Sequence, residues 1–149
     1  MTTETLREKF IEPEKRAALI AELLPIIEKQ LASAPGWSGR GLRAAVQILD
    51  RAIPRLLSRA LNSLLDPFLD ALNETAERAK KEGTSMKGEV EANILSLTEE
   101  LLSITDARIK KVDHVLARKT YDKLRPLAAE HVSQSLPKIA VVIEKSLKN

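Results

Sequence analysis

The stretch Leu42–Leu72, LRAAVQILDRAIPRLLSRALNSLLDPFLDAL, decides the fold. Its large apolar residues Leu42, Val46, Leu49, Ile53, Leu56, Ala60, Leu64, Phe68 and Leu72 recur at steps of three and four, the repeat that lines one face of an α-helix. The same period extends outward. Val90, Ile94, Leu97, Leu101 and Ile104 form a second series, and Leu95, Leu102, Ile109 and Leu116 form a parallel row assigned to the same helix. Leu124, Ala128, Val132, Leu136, Ile139, Ile143 and Leu147 form a third. No stretch alternates apolar and polar residues as a half-buried strand would, and no Asn-Gly or Asp-Gly hairpin turn is present. The reading is all-α: one helical bundle over residues 1–149, built from five or six segments with proline kinks.

Breakers and caps place the boundaries. Thr5 and Glu8 form a Thr-x-x-Glu capping box that opens a short first helix. Pro13 suits the first turn of a long second helix, which the Ser33–Gly36 stretch SAPG ends. Asp66-Pro67 predicts a new helix or a sharp kink, and Lys80–Gly88, KKEGTSMKG, predicts a loop. Pro25, Pro54, Pro67, Pro126 and Pro137 each interrupt a continuing apolar phase, so each is expected at a kink or at an abutting helix start.

A chain of 149 residues with 44% hydrophobic and only 3% aromatic content must have an aliphatic core. Without cysteine it has neither disulfides nor thiolate metal sites. The charged, polar start MTTETLREKF has no apolar signal segment behind it, and the densest apolar run, Ala17–Ile27, is too short to span a bilayer. The expectation is a cytoplasmic protein.

Chemistry is sparse. Neither histidine, His114 or His131, belongs to a Glu-x-x-His motif, so no metal site is expected and each reads as a surface or partly packed residue. No nucleophile elbow or phosphate-binding loop occurs. Tyr121 and Lys123 lie two apart and so diverge on a helix. Glu99-Glu100 and Asp66/Asp70 read as solvated faces. The expectation is therefore a non-catalytic protein with no cofactor.

Charge is distributed unevenly behind a net +3. Residues 40–59 carry five arginines against one aspartate, residues 60–105 four basic against nine acidic groups, and residues 106–125 seven basic against three acidic groups. Arg40, Arg43, Arg51, Arg55 and Arg59 fall on one helix face as a possible anion-binding row for nucleic acid or anionic lipid; the alternative, weighted above it, is internal pairing with the acidic segment. Arg108–Arg125 reads as a solvated face. The closing helix, Leu136–Lys148, is apolar over most of its circumference, which places it centrally or against a second subunit. From this comes the leading functional expectation: a homo-oligomer or a module for a protein partner. An apolar ligand carried between the helices is a third possibility.

The corner Ala34–Arg43, APGWSGRGLR, holds three of the five glycines. Pro35-Gly36 suits the central positions of a type II turn. Ser38 is then expected as the next N-cap, with Trp37 and Leu42 as a hydrophobic staple. Gly39 and Gly41 imply a close backbone approach or an anion seated on bare N–H groups.

The motifs GWSGRGLRAA, SITDAR, RKTYDKLRPLAAEHV and SLPKIAVVIEK, taken together, resemble a family of short all-α bacterial proteins with no assigned function. That resemblance supports the fold class and a bacterial cytosolic setting, and implies no substrate, cofactor or site residue.

Overall fold

The computed structural model describes residues 4–148, and among these there are seven helices and no strand. They are α1 (Leu6–Lys9), α2 (Pro13–Ser33), α3 (Gly36–Ala52), α4 (Leu56–Glu82), α5 (Met86–Ala92), α6 (Ile94–Ile109) and α7 (Val115–Leu147). Seven exceeds the expected five or six because Asn93 (φ −123°, ψ 27°) divides the second apolar series into α5 and α6. The row Leu95, Leu102, Ile109 and Leu116 does not share one helix. A break after Ile109 places Leu116 in α7, and Leu95 is 81% exposed.

The prolines divide between a helix break and helix interiors. Pro54 does fall in a break, the short linker before α4, but Pro25, Pro67, Pro126 and Pro137 all lie inside continuous helices. Proline removes the donor that would meet the carbonyl four residues earlier. At Pro67 that carbonyl belongs to Ser63, and Arg108 of α6 donates to it at 3.2 Å. Beside it, Arg16 donates to the Asn62 carbonyl at 2.7 Å and pairs with Asp66 at 2.5 Å. Arginines from two other helices thus bind the turn that precedes Pro67, and Asp66-Pro67 starts no new helix.

Thr5 caps α1 as its capping motif implies, accepting from the Glu8 N–H at 3.2 Å. The expected loop at Lys80–Gly88 shrinks to Gly83–Ser85. Gly83 ends α4 in the left-handed region (φ +68°), Ser85 caps α5, and Met86 is buried. The linker between α3 and α4 holds Arg55 at φ +58°, a conformation L-residues adopt only with strain.

The corner before α3 is partly as expected. Gly36 has φ +71°, the value a type II turn requires of its third residue. However, α3 begins at Gly36, so Ser38 lies within its first turn and is not the N-cap. Trp37 is 86% exposed with Arg40 stacked 5.6 Å from its ring centre, so it forms no staple with the buried Leu42. Close backbone approach accounts for Gly39, while Gly41 meets only the end of a side chain. A Cβ on Gly39 would stand 2.1 Å from the Ala34 carbonyl oxygen, and one on Gly41 would stand 2.9 Å from Leu127 Cδ1 of α7.

Two aliphatic clusters form the core. The larger joins α1, α2, α4, α5 and α6 to the C-terminal half of α7 through residues such as Leu19, Leu69, Val90, Leu136 and Ile143. The smaller joins α3 to the N-terminal half of α7 through Leu42, Leu49, Ala117 and Leu124. At 1.5 Å per residue α7 is roughly 50 Å long, enough to serve both. The apolar excess of its last turns is taken up within the chain: Leu136, Ala140 and Ile143 are buried, and Ile139, Val142 and Leu147 pack beside them.

Candidate functional site

A cavity of about 240 Å³ lies where the two clusters meet. Leu42 and Val46 of α3 close one side, Leu61, Leu65 and Phe68 of α4 another, and Val132, Leu136 and Ile139 of α7 run along it. The walls are aliphatic because the chain has almost no aromatic residues to fill them. No Lys, Arg, Asp or Glu lines it.

Four lining residues are polar: Gln30, Thr105, His131 and Ser135. Three have partners. The Ser135 hydroxyl donates to the His131 carbonyl at 2.8 Å and the Thr105 hydroxyl to the Leu101 carbonyl at 3.1 Å, each within its own helix. Gln30 donates to the Gln134 side-chain oxygen at 2.8 Å. His131 is different: it is 4% exposed, and neither Nδ1 nor Nε2 has a hydrogen-bonding partner. A buried polar group left in that condition costs about 1–3 kcal/mol. His131 is therefore neither on the surface nor partly packed, as its sequence context suggested. The overlooked signal lies in Leu124, Ala128, His131 and Ser135, which follow at steps of four, three and four and so place a histidine in the apolar phase.

A second recess, near the N-terminus, measures about 600 Å³ but is lined by the charged residues Glu4, Lys9, Lys15, Glu22 and Lys80. His114, the other histidine, caps α7: its Nδ1 accepts from the Ala117 N–H at 3.1 Å. Among the described residues no three His, Asp or Glu side chains cluster as metal ligands would.

The arginine row does not share one helix face, because the break at residues 53–55 leaves Arg40, Arg43 and Arg51 on α3, Arg55 in the linker and Arg59 on α4. Arg43 is spent on the backbone, donating to the Leu31 and Ala34 carbonyls at 3.2 and 2.7 Å. It closes the C-terminus of α2, where Pro35 leaves the Leu31 carbonyl without its helical donor. Arg40, Arg51, Arg55 and Arg59 are exposed, and none forms an ion pair among the described residues. The expected internal pairing with the acidic segment is absent. Five of those nine carboxylates meet other arginines instead: Asp70 meets Arg7, Asp66 meets Arg16, Glu74 and Glu89 meet Arg78, and Glu99 meets Arg125.

The Arg108–Arg125 run is also less solvated than its interleaved charges implied. Tyr121 is buried and donates to Asp106 at 2.5 Å, while Arg125 binds both Asp106 oxygens and reaches Glu99. The Arg125 guanidinium holds the Asp106 carboxyl below its ordinary range, assisted by the Tyr121 hydroxyl against the opposing effect of burial. Burial, followed by the Asp106 hydrogen bond, pushes the Tyr121 phenol upward. This network fastens α6 to α7. Lys123 points into solvent, so it forms no acid–base pair with Tyr121.

No helix among the described residues is long and apolar enough to cross a membrane. No curated protein matches the chain, and no solved structure matches it. One family does, described as a family of unknown function (DUF6918), and it matches residues 6–147. That span takes in all seven helices, the cavity and His131, and the chain therefore belongs to this family of unknown function.

Proposed function

We propose that this protein binds a small, mostly apolar molecule between its helices. The observation that carries this reading is the 240 Å³ aliphatic cavity at the seam of the two core clusters. Well-packed interiors keep few voids larger than a water molecule, and an apolar pocket with a few polar groups is the usual form of a ligand site. An aliphatic cavity of about 150 Å³ accommodates benzene, so by proportion this one suits roughly ten carbon-sized atoms. Binding rather than catalysis is the role proposed, and the reason for expecting self-association weakens because the apolar excess of α7 is met inside one chain.

Naphthalene, with ten carbons, is a suitable probe. Calorimetric titration should show saturable one-to-one binding, and Ala128→Phe, which places a ring in the cavity, should abolish it. Absence of saturable binding to the unaltered protein would refute the proposal.

A second reading rests on Arg40, Arg51, Arg55 and Arg59, which are exposed and form no ion pair among the described residues, and would supply positive charge to nucleic acid or anionic lipid. Salt-sensitive retention on heparin or on anionic vesicles, lost when Arg51, Arg55 and Arg59 are reversed to Glu, supports it. Retention on neither removes it.

A further inference from the structure

From the outer face that α3 and α7 share we infer that this protein docks on an anionic lipid surface, its exposed apolar side chains seated among the headgroups and the cations between them on lipid phosphate. The inference rests on the second reading above and commits it to one occupant.

On α3 the residues Trp37, Arg40, Ala44, Ile48 and Arg51 follow at steps of three and four, so they form one stripe, and every one of them is exposed. On α7 the residues Leu116, Lys119, Lys123 and Leu127 follow in the same way. The first three are exposed, while Leu127 packs in the smaller core cluster beside α3. The two stripes meet at Gly41, four residues after Trp37 and seven before Ile48, where a Cβ would stand 2.9 Å from Leu127 Cδ1. They border one contact and therefore lie on one side of the α3–α7 pair. That side collects three of the large hydrophobic side chains exposed among the described residues: Trp37 at 86%, Leu116 at 55% and Ile48 at 42%. Between them stand Arg40, Arg51, Lys119 and Lys123, none of which forms an ion pair among the described residues. Glu130, three residues beyond Leu127, is the nearest carboxylate in phase with them, so positive charge is in excess.

The mixture of cations with exposed apolar side chains selects the occupant. An anionic bilayer offers phosphates to the cations and an apolar boundary just beneath, and Trp is among the residues such interfaces favour. Nucleic acid would satisfy the charges but leave Ile48 and Leu116 facing phosphate. Stacking of successive bases also needs several aromatic rings, and this face has one. The Arg40 guanidinium lies 5.6 Å from the centre of the Trp37 ring, so the pair can enter the boundary with its charge toward the headgroups. From Trp37 to Arg51 the stripe runs about 21 Å at the helical rise, which lets α3 lie along the surface.

Trp37 is the chain's only tryptophan, so its fluorescence reports directly on the proposed face. With vesicles of phosphatidylserine and phosphatidylcholine in equal parts, the full protein should cosediment and its Trp37 emission should move to shorter wavelength. Phosphatidylcholine alone should do neither, and added salt should weaken the binding. Arg51→Gln combined with Lys123→Gln removes two of the four cations and should weaken binding about tenfold or more. Ile48→Ser combined with Leu116→Ser leaves the charge unaltered and should weaken it about tenfold. All four side chains are exposed, so the circular dichroism of both variants should match the parent. Vesicle binding that leaves Trp37 emission unmoved, or that ignores the serine pair, overturns this face as the docking surface. Equal binding to neutral vesicles overturns the selection of anionic lipid. Retention on DNA without vesicle binding overturns the membrane as occupant and leaves the basic reading standing, whereas salt-sensitive binding to neither overturns that reading itself.

Discussion

Gly39→Ala should destabilise this protein although it replaces glycine with the best helix former. Within a helix the exchange gains up to about 0.8–1 kcal/mol from backbone entropy. Against that stands a steric term set by the corner between α2 and α3. The new Cβ would lie 2.1 Å from the Ala34 carbonyl oxygen and 2.5 Å from its carbon, with Ala34 Cβ at 3.0 Å. These are mainly backbone atoms, and no rotamer change can move them aside. The oxygen is also held from behind, since Arg43 donates to it at 2.7 Å, so retreat would disturb the closure of α2. Overpacking of this kind costs about 1–3 kcal/mol, and more where backbone must move. The expected net loss is about 1–2 kcal/mol, or a fall in Tm of about 2–8 °C for a chain of this size. Gly41→Ala is the matched control, because its Cβ meets only the mobile end of Leu127, at 2.9 Å. It should remain within about 0.5 kcal/mol of the parent. Thermal unfolding followed by circular dichroism measures both. A Gly39→Ala protein as stable as the parent, or more so, would refute the close-approach explanation of this glycine.

Further expectations follow from other contacts. Arg43→Met keeps the side-chain length but leaves the Leu31 and Ala34 carbonyls without their charged donor; urea unfolding should show a loss of about 1–2 kcal/mol. Trp37→Ala should change stability by less than about 0.5 kcal/mol in the same assay, because an 86% exposed ring stabilises little beyond its stacking on Arg40. Asp106→Asn should cost about 1–2 kcal/mol at pH 7 by weakening the bonds from Arg125 and Tyr121. Because Asp106 titrates lower in the folded chain than its ordinary value of 3.8, its contribution is complete above that value and disappears as the pH falls through the folded pKa. The stability difference between the parent and Asp106→Asn should therefore close below about pH 4. A difference as wide in strong acid as at neutrality would contradict the role given to this carboxylate.

Local physics made much of the architecture legible. Periodicity identified the helices because burying one face of a helix requires apolar residues every three or four positions, whatever that face packs against. Thr5, Pro13 and the positive φ of Gly36 were readable for the same reason: each answers a need of its own few residues. At the prolines the sequence left two outcomes open, a kink or a new helix start, because whether a freed carbonyl ends a helix depends on what arrives to bind it, and the arginine that reaches Ser63 comes from 45 residues further along the chain. Trp37 misled in the opposite sense: its spacing to Leu42 satisfied a local rule, but the start of α3 turned the ring outward.

The candidate site was the least legible part. A void is a property of the space between helices, and no single series of residues encodes it. His131 carried a faint signal, a polar residue in apolar phase, but only the packed fold shows that its neighbours have spent their hydrogens and that its own nitrogens are unmet. The arginines make the same point. One row of similar side chains became a backbone clamp at Arg43, a stack on Trp37 at Arg40 and open charge at Arg51, Arg55 and Arg59. By itself the sequence determined that the chain is helical, aliphatic and without disulfides, since these follow from short-range periodicity and composition. Only the tertiary structure decided where the helices leave a cavity, which residues line it and which charges are neutralised, because hydrogen bonding, packing and pairing are settled by residues distant in the chain and adjacent in space.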